Sequence, residues 1–303
     1  MRLLAPAKIN MHLRTGLVRA DGFHPLLTWM CTIGLFDNLE VDRSTGPGFR
    51  LICDGLQVPC DSTNLVIRAA VAFAEALRVG RQVSSADGEG LSIRLQKRIP
   101  VGAGLGGGSS DGARMLQGLN HFWMAGWPAT RLSQLAATLG SDLPFFLHGP
   151  SAICRGRGEL VQPLPPPKPR WALLILPFFG LSTAAVYRRF DEMKLGQRAT
   201  IEADPGFDTW TRLPANELLP MLVNDLERAA FALEPRLEDL RRQAEKRLSR
   251  IVRMSGSGSS LFTLFDKEND AQEAAKALQG LAVSALAVEL APALTDELNK
   301  AAD

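Results

Sequence analysis

The chain has 303 residues, 46% of them hydrophobic and 22% charged, and a formal net charge of +2. That length suits one large or two medium domains with a sizeable core. So even a charge balance leaves no footprint for a nucleic acid, and no apolar run approaches the ~20 residues of a membrane span.

The N-terminal MRLLAPAKINMHL has neither a long apolar core nor a small-residue cleavage pattern. Cys31, Cys53, Cys60 and Cys154 lie far apart with no metal-binding spacing. A cytoplasmic protein with reduced thiols and no zinc site is the expectation.

Taken in chain order, residues 2–18 and 31–43 carry apolar and β-branched runs and predict strands joined through Gly22 and Pro25. Asp61-Ser62-Thr63-Asn64 opens a helix, LVIRAAVAFAEALRV, with Gly80 just past its end. Residues 81–90 read as a hairpin tip. LSIRLQKRI alternates as a strand and stops at Pro100. A glycine-rich loop follows, and SSDGARMLQGLNHFW predicts a helix. A helix over 131–139 stops at Gly140, and Ser141-Asp142 then caps a short helix with Pro144 in its first turn.

PLPPPKP at 163–169 is the best linker candidate. WALLILPF predicts a buried strand. Helices are expected near 183–193, 217–232 and 236–249, the last a solvated amphipathic face with interleaved charges. IVRMSGSGSSLFTLF reads as strand, turn, strand, and a helix at 268–279 and a strand at 283–290 finish the core. The mixed order predicts an α+β fold in two domains, 1–160 and 161–303.

Residues 100–110 read PVGAGLGGGSS, five glycines in eleven. Each costs conformational entropy on ordering, and close backbone approach to an anion repays that cost. Gly102, Gly104 and Gly107 fit G-x-G-x-x-G, the spacing of a dinucleotide loop. That reading wants an acid about 20 residues on, whereas residues 120–130 read NHFWMAGWPAT. No Lys-Ser or Lys-Thr follows the glycines, which excludes a Walker loop. The protein-kinase elements H-R-D and D-F-G are missing too. What remains is a phosphate cradle of another type, with backbone N–H groups from Gly104 to Ser110 facing phosphates at a helix N-terminus. Ser109 and Ser110 add hydroxyls, and Ser110 is the candidate contact for Mg²⁺. A structural glycine turn is the plainer alternative.

PVGAGLGGGSSD resembles the second motif of the GHMP kinases, the family of galactokinase, homoserine kinase and mevalonate kinase. APAKIN at 5–10 resembles the first motif and MSGSGSSLF at 254–262 the third, in the same order. The resemblance implies a two-domain fold, with the active site in the cleft between domains. It also implies ATP and Mg²⁺ as cofactors and a small-molecule alcohol as the acceptor. ADGFHPL at 20–26, the block GLGGGSSD and GSDLPFFL at 140–147 are similar to one branch of the family. That branch phosphorylates the 2-hydroxyl of diphosphocytidyl-methylerythritol in isoprenoid biosynthesis.

On this resemblance Asp142 is the base, and Lys8 its partner. A lysine in an apolar strand is costly to bury unless paired, and Asp142 would relieve that cost. Asn10, on the same strand face, is expected to hydrogen-bond the substrate. The resemblance further implies that Phe23 and His24 contact cytosine, where the family commonly has Tyr in place of Phe23. It implies that Tyr187 stacks on the base and that Thr183 lies near the methylerythritol. Asn64, Lys97 and the loop residues Pro100, Val101, Gly102, Ala103, Gly104, Leu105, Gly106, Gly107, Gly108, Ser109 and Ser110 match the ATP side. Gly256, Ser257 and Gly258 are expected to form a tight turn beside the loop. Another small-molecule kinase of the family, such as homoserine kinase, is the main alternative. A non-catalytic nucleotide-binding regulator and a dinucleotide oxidoreductase are the others.

Overall fold

The computed structural model describes residues 1–79, 90–197, 201–202 and 205–299. The helix-ending Gly80 and all but the last residue of the hairpin tip expected at 81–90 lie outside these residues, and Gly90 is the first residue of the strand that follows. Strands β1 (Arg2–Thr15), β2 (Leu26–Ser44) and β3 (Phe49–Gly55) open the chain, followed by helix α1 (Leu65–Val79) and β4 (Gly90–Lys97). Helices α2 (Gly107–Phe122), α3 (Ala129–Leu139) and α4 (Phe145–His148) come next, and β5 (Ser151–Gly156) and β6 (Leu160–Pro163) complete a six-stranded sheet. Its order is β3-β4-β2-β5-β6, with β1 also paired to the long β2. The β3–β4 pair is parallel because α1 carries the crossover.

β1 is buried along most of its length because it is covered on both faces, and in its second half Lys8, Asn10 and His12 alternate with Ala7, Ile9 and Met11. Leu3 and Ala5 join the core under α1 and α2, whereas Ala7, Ile9 and Met11 join a second cluster with Ala172, Leu174 and Phe262. This second cluster ties the first sheet to a four-stranded antiparallel one. The latter is built from β7 (Trp171–Pro177), β8 (Arg253–Met254), β9 (Leu261–Phe265) and β10 (Val283–Glu289), in the order β10-β7-β9-β8. Its helices are α5 (Thr183–Glu192), α6 (Phe207–Trp210), α7 (Ala215–Leu218), α8 (Glu227–Leu233), α9 (Pro235–Leu248) and α10 (Glu268–Ala277).

Several expectations are corrected. The helix predicted over 217–232 is broken between α7 and α8. Pro220 interrupts it, and Asn224 turns the chain inward, its Nδ2 donating to the carbonyls of Met254 and Gly256. β3, β5 and β6 were not foreseen, since each is short and edged by turn residues. Helix α2 starts at Gly107, not at the serines, so two of the glycines form its first turn. The short helix at 145–148 has Pro144 at its cap and no side-chain capping bond, so Asp142 does not cap it. The chain end returns to the first sheet: Asp296 accepts from the Leu4 N–H at 2.8 Å and pairs with buried Arg114. A simple division at residue 160 therefore leaves out one returning segment.

Candidate active site

A cavity of about 1020 Å³ is walled by the glycine loop, the second half of β1, α5 and the 141–142 turn. Lys8 points into it from β1 and is almost wholly buried. Its Nζ donates to Asn10 Oδ1 at 2.6 Å and to the Gly104 carbonyl at 2.9 Å, and stands 3.7 Å from Asp142 Oδ2. Burial pulls the Lys8 pKa down, and the Asp142 charge works against that loss. The sequence-predicted pair thus meets across 134 residues of chain.

Asn10 has a part beyond the one expected. Its Oδ1 accepts from Lys8 and its Nδ2 donates to Thr28 Oγ1 at 2.9 Å. It orients the lysine, and it lines the cavity with a second Nδ2 hydrogen beyond these two bonds.

The glycine loop is fixed by the third motif. Gly102, Gly104 and Gly106 have φ of +69°, +74° and +68°, the left-handed region that favours glycine. A Cβ on Gly104 would lie 2.2 Å from the Ser255 carbonyl oxygen, and one on Gly256 would lie 3.1 Å from Asn10 Oδ1. Ser255 Oγ donates to the Gly104 carbonyl, and the Ser260 N–H donates to the Ala103 carbonyl. The 256–258 turn packs against the loop, as the resemblance to the third motif implied. Ser257 reaches the cavity wall, where its hydroxyl shares a 2.8 Å hydrogen bond with Thr183.

Pro100, Val101, Ala103, Leu105, Gly108 and Ser109 line the cavity with the loop glycines. Ser110 does not. Its side chain is fully buried on the inner side of α2, because successive helix residues are rotated by about 100°. The hydroxyl facing the cavity is Ser109, so Ser110 as the Mg²⁺ contact is corrected. Gly107 has an ordinary helical φ. A Cβ there would meet Lys97 Nζ at 2.8 Å and Ile99 Cγ2 at 2.9 Å, on the inner side of the loop.

Lys97 is likewise not a free phosphate ligand. Its ammonium is buried between Asp37 and Asp111, 2.9 Å from Asp111 Oδ2. Asp37 also accepts the N–H groups of Arg98 and Ile99. This cluster joins the entrance of the loop on β4 to its exit on α2. Two carboxylates on one ammonium in a dry pocket leave Asp111 pushed up to about 7, chiefly by burial, with the Lys97 charge opposing. Neither acid was singled out from the sequence. Asn64 lines the nucleotide side but caps α1, accepting from the Val66 N–H at 2.9 Å and donating to the Pro59 carbonyl at 2.7 Å.

At the other end of the cavity stand Phe23, His24 and Tyr187. His24 is buried with its ring centroid 5.0 Å from that of Tyr187. Its Nδ1 lies 2.9 Å from the Gly16 carbonyl oxygen and its Nε2 lies 3.3 Å from Asp191 Oδ2. Both ring nitrogens are therefore engaged, and the exposed polar group beside the aromatic pair is Asp191. Phe23 is half exposed, with the Arg157 guanidinium 4.8 Å over its ring.

Two family regions match the chain: the GHMP kinases N terminal domain over residues 64–150 and the GHMP kinases C terminal region over residues 213–282. A 4-diphosphocytidyl-2-C-methyl-D-erythritol kinase of Synechococcus sp. (strain CC9902) is 37% identical over 288 residues, 91% of either chain. A protein of the same name from Desulfotalea psychrophila is 37% identical, covering 88% of this chain and 86% of its own. A crystal structure of 4-(cytidine 5'-diphospho)-2C-methyl-D-erythritol kinase superposes with a TM-score of 0.76 at 36% identity, over 97% of this chain and all of that one. A homoserine kinase from Cytophaga hutchinsonii shares the fold at a TM-score of 0.67 with 17% identity. A cleft closed by a glycine loop, a buried lysine and an acid is thus found on a chain most of whose length aligns with these enzymes, and the chain belongs to the GHMP kinase family.

Proposed function

We propose that the protein transfers the γ-phosphoryl group of ATP to the 2-hydroxyl of 4-diphosphocytidyl-2-C-methyl-D-erythritol, a step of isoprenoid biosynthesis. The observation that carries this reading is the Lys8–Asp142 pair. It lies between a nucleotide-shaped glycine loop and an aromatic recess within one cavity. The names of the relatives at 34–37% identity point to the same substrate.

Phosphoryl transfer asks for alignment and charge neutralisation more than for covalent chemistry. The N–H groups of the first turn of α2 and the loop hold the triphosphate at the positive end of the helix dipole. Asp142 takes the proton from the 2-hydroxyl as the oxygen attacks phosphorus. Lys8, held by Asn10 and the Gly104 carbonyl, keeps Asp142 ionised and sets positive charge beside the attacking oxygen. Tyr187 offers its ring to cytosine, and Asp191 is placed to accept from the exocyclic amine.

Among the described residues no group of three or more histidine, cysteine or acidic side chains gathers as a metal cage. That suits Mg²⁺ carried by the ATP phosphates with few protein ligands, and the Ser109 hydroxyl and the Asp142 carboxylate are the oxygens present for it. When bound, the ion would neutralise phosphate charge.

The test is a coupled ADP-release assay over diphosphocytidyl-methylerythritol, homoserine, mevalonate and galactose. Turnover is expected with the first alone. Turnover with homoserine and none with the first would replace the narrow reading and leave the kinase assignment standing.

A further inference from the structure

A diphosphocytidyl alcohol carries two or more negative charges midway between its base and its reacting hydroxyl. Among the described residues, four lysine and arginine side chains line the cavity: Lys8, Lys97, Arg157 and Arg188. Lys8 faces Asp142 and Lys97 is held by two carboxylates. The arginines remain, and their positions differ. Arg157 sits at the turn between β5 and β6. Its guanidinium stands 4.8 Å over the Phe23 ring, at the base end of the cavity. The next residue, Gly158, abuts the catalytic turn, for a Cβ there would lie 3.3 Å from the Ser141 carbonyl oxygen and 3.6 Å from Asp142 Oδ1. Arg157 thus spans the interval between base recess and base catalyst. Arg188 lies on α5, outside that interval, next to Tyr187.

The turn is built to hold this arginine. Gly156 and Gly158 have φ of +72° and +120°, and the Gly158 N–H donates to the Arg155 carbonyl at 3.0 Å. Glu159 accepts the Arg157 N–H at 2.5 Å, while its other oxygen is 3.9 Å from Arg157 Nε, too far for a hydrogen bond. The side chain is one-third exposed, toward the cavity. A planar guanidinium with forked donors matches phosphate oxygens better than a lysine would.

We propose that Arg157 binds the diphosphate of the acceptor substrate and so selects a nucleotide-linked alcohol over a free one. This rests on the diphosphocytidyl reading above. It makes the β5–β6 turn a specificity element and gives one arginine two neighbours to bridge, the stacked base and the reacting alcohol.

The experiment compares cytidine with cytidine diphosphate by calorimetry, with the nucleotide site filled by a non-hydrolysable ATP analogue. In the parent protein the diphosphate is expected to bind more tightly than the nucleoside. In Arg157→Gln, binding of cytidine should stay unchanged while cytidine diphosphate weakens by about 10- to 100-fold, the worth of a charged hydrogen bond. KM for the diphosphocytidyl alcohol should rise likewise, with KM for ATP unmoved. Arg157→Lys should recover part of the loss, and it serves as the reporter if the glutamine variant fails to fold. Equal weakening of cytidine and its diphosphate, or no weakening of either, would overturn the assignment. So would loss of the phosphate increment in Arg188→Gln instead. A parent protein that ignores the diphosphocytidyl alcohol would instead overturn the substrate reading itself.

Discussion

Lys8 Nζ stands 3.7 Å from Asp142 Oδ2, yet its two shortest hydrogen bonds go elsewhere, to Asn10 and to the Gly104 carbonyl. The lysine is thus held by its own strand and by the nucleotide loop, and Asp142 meets it from across the cleft. Asp142→Ala should lower kcat by about 10²- to 10⁴-fold, as loss of a general base does, while ATP still binds. Lys8→Met should also be impaired, and the double variant should fall short of the product of the two losses, because the residues act as a unit. Near-parent turnover in Asp142→Ala would remove it from the chemistry.

Asn10→Ala tests the part of that residue in holding the lysine. Bonded to Lys8 and Thr28, it should act on kcat by about tenfold or more and leave KM for the alcohol within a few-fold. A rise in KM alone, seen in steady-state kinetics, would return Asn10 to substrate binding.

Gly104 and Ser255 touch backbone to backbone, and a Cβ at position 104 has no room. Gly104→Ala should therefore destabilise the whole protein by about 1–3 kcal/mol, through strain at positive φ and collision with the third motif. Thermal unfolding would show this as a lowered Tm with or without nucleotide. A variant with parent Tm and only weakened ATP binding would mean that the glycine serves the phosphates alone.

Tyr187 forms one wall of the recess with His24. Stacking on a base is worth about 1–3 kcal/mol, so Tyr187→Ala should raise KM for the cytidine substrate roughly 5- to 150-fold. KM for ATP should hardly move. Equal changes in both would mark the ring as a packing element.

Asp111 yields a pH dependence of stability. Its pKa is raised in the fold to about 7 from an ordinary 3.8, chiefly by burial, with Lys97 opposing and Asp37 reinforcing. The protonated acid is the form the fold prefers. Its contribution is thus full below pH 3.8 and is lost as pH rises through about 7. Asp111→Asn should flatten that slope and stabilise the protein at pH 8 relative to the parent, the gap narrowing toward pH 5. Parallel curves of Tm against pH for the two proteins would refute the assignment.

Much of this site was legible in the sequence because it rests on local devices. A run of glycines between a strand and a helix has few physical uses, and the order of three motifs carried the family. Gly102, Gly104 and Gly106 need their freedom for a backbone shape that neighbouring residues already specify. Lys8 was legible only through the first motif of the family, since a lysine in such a strand could as well face water, and its burial beside Asp142 is a tertiary fact. The strands β3, β5 and β6 were illegible because short segments edged by glycine and proline hold their place by pairing, which no local pattern records.

The sequence by itself determined the α+β class and the glycine loop between a strand and a helix, which composition and spacing within a few residues record, and the resemblance of its three motifs to the family pointed to Lys8 and Asp142 as partners. Only the tertiary structure decided who neutralises whom. Lys97 looked like a phosphate ligand until Asp37 and Asp111, from two other elements, closed on it. Ser109 rather than Ser110 faces the cavity because both serines lie within the helix, which begins at Gly107, two residues before the first of them. His24 turned out to be committed to Gly16 and Asp191, leaving the acid at the recess. The physical reason is common to all three. A side chain's chemistry is set by its hydrogen-bond partners and its burial, and those come from residues tens to hundreds of positions away.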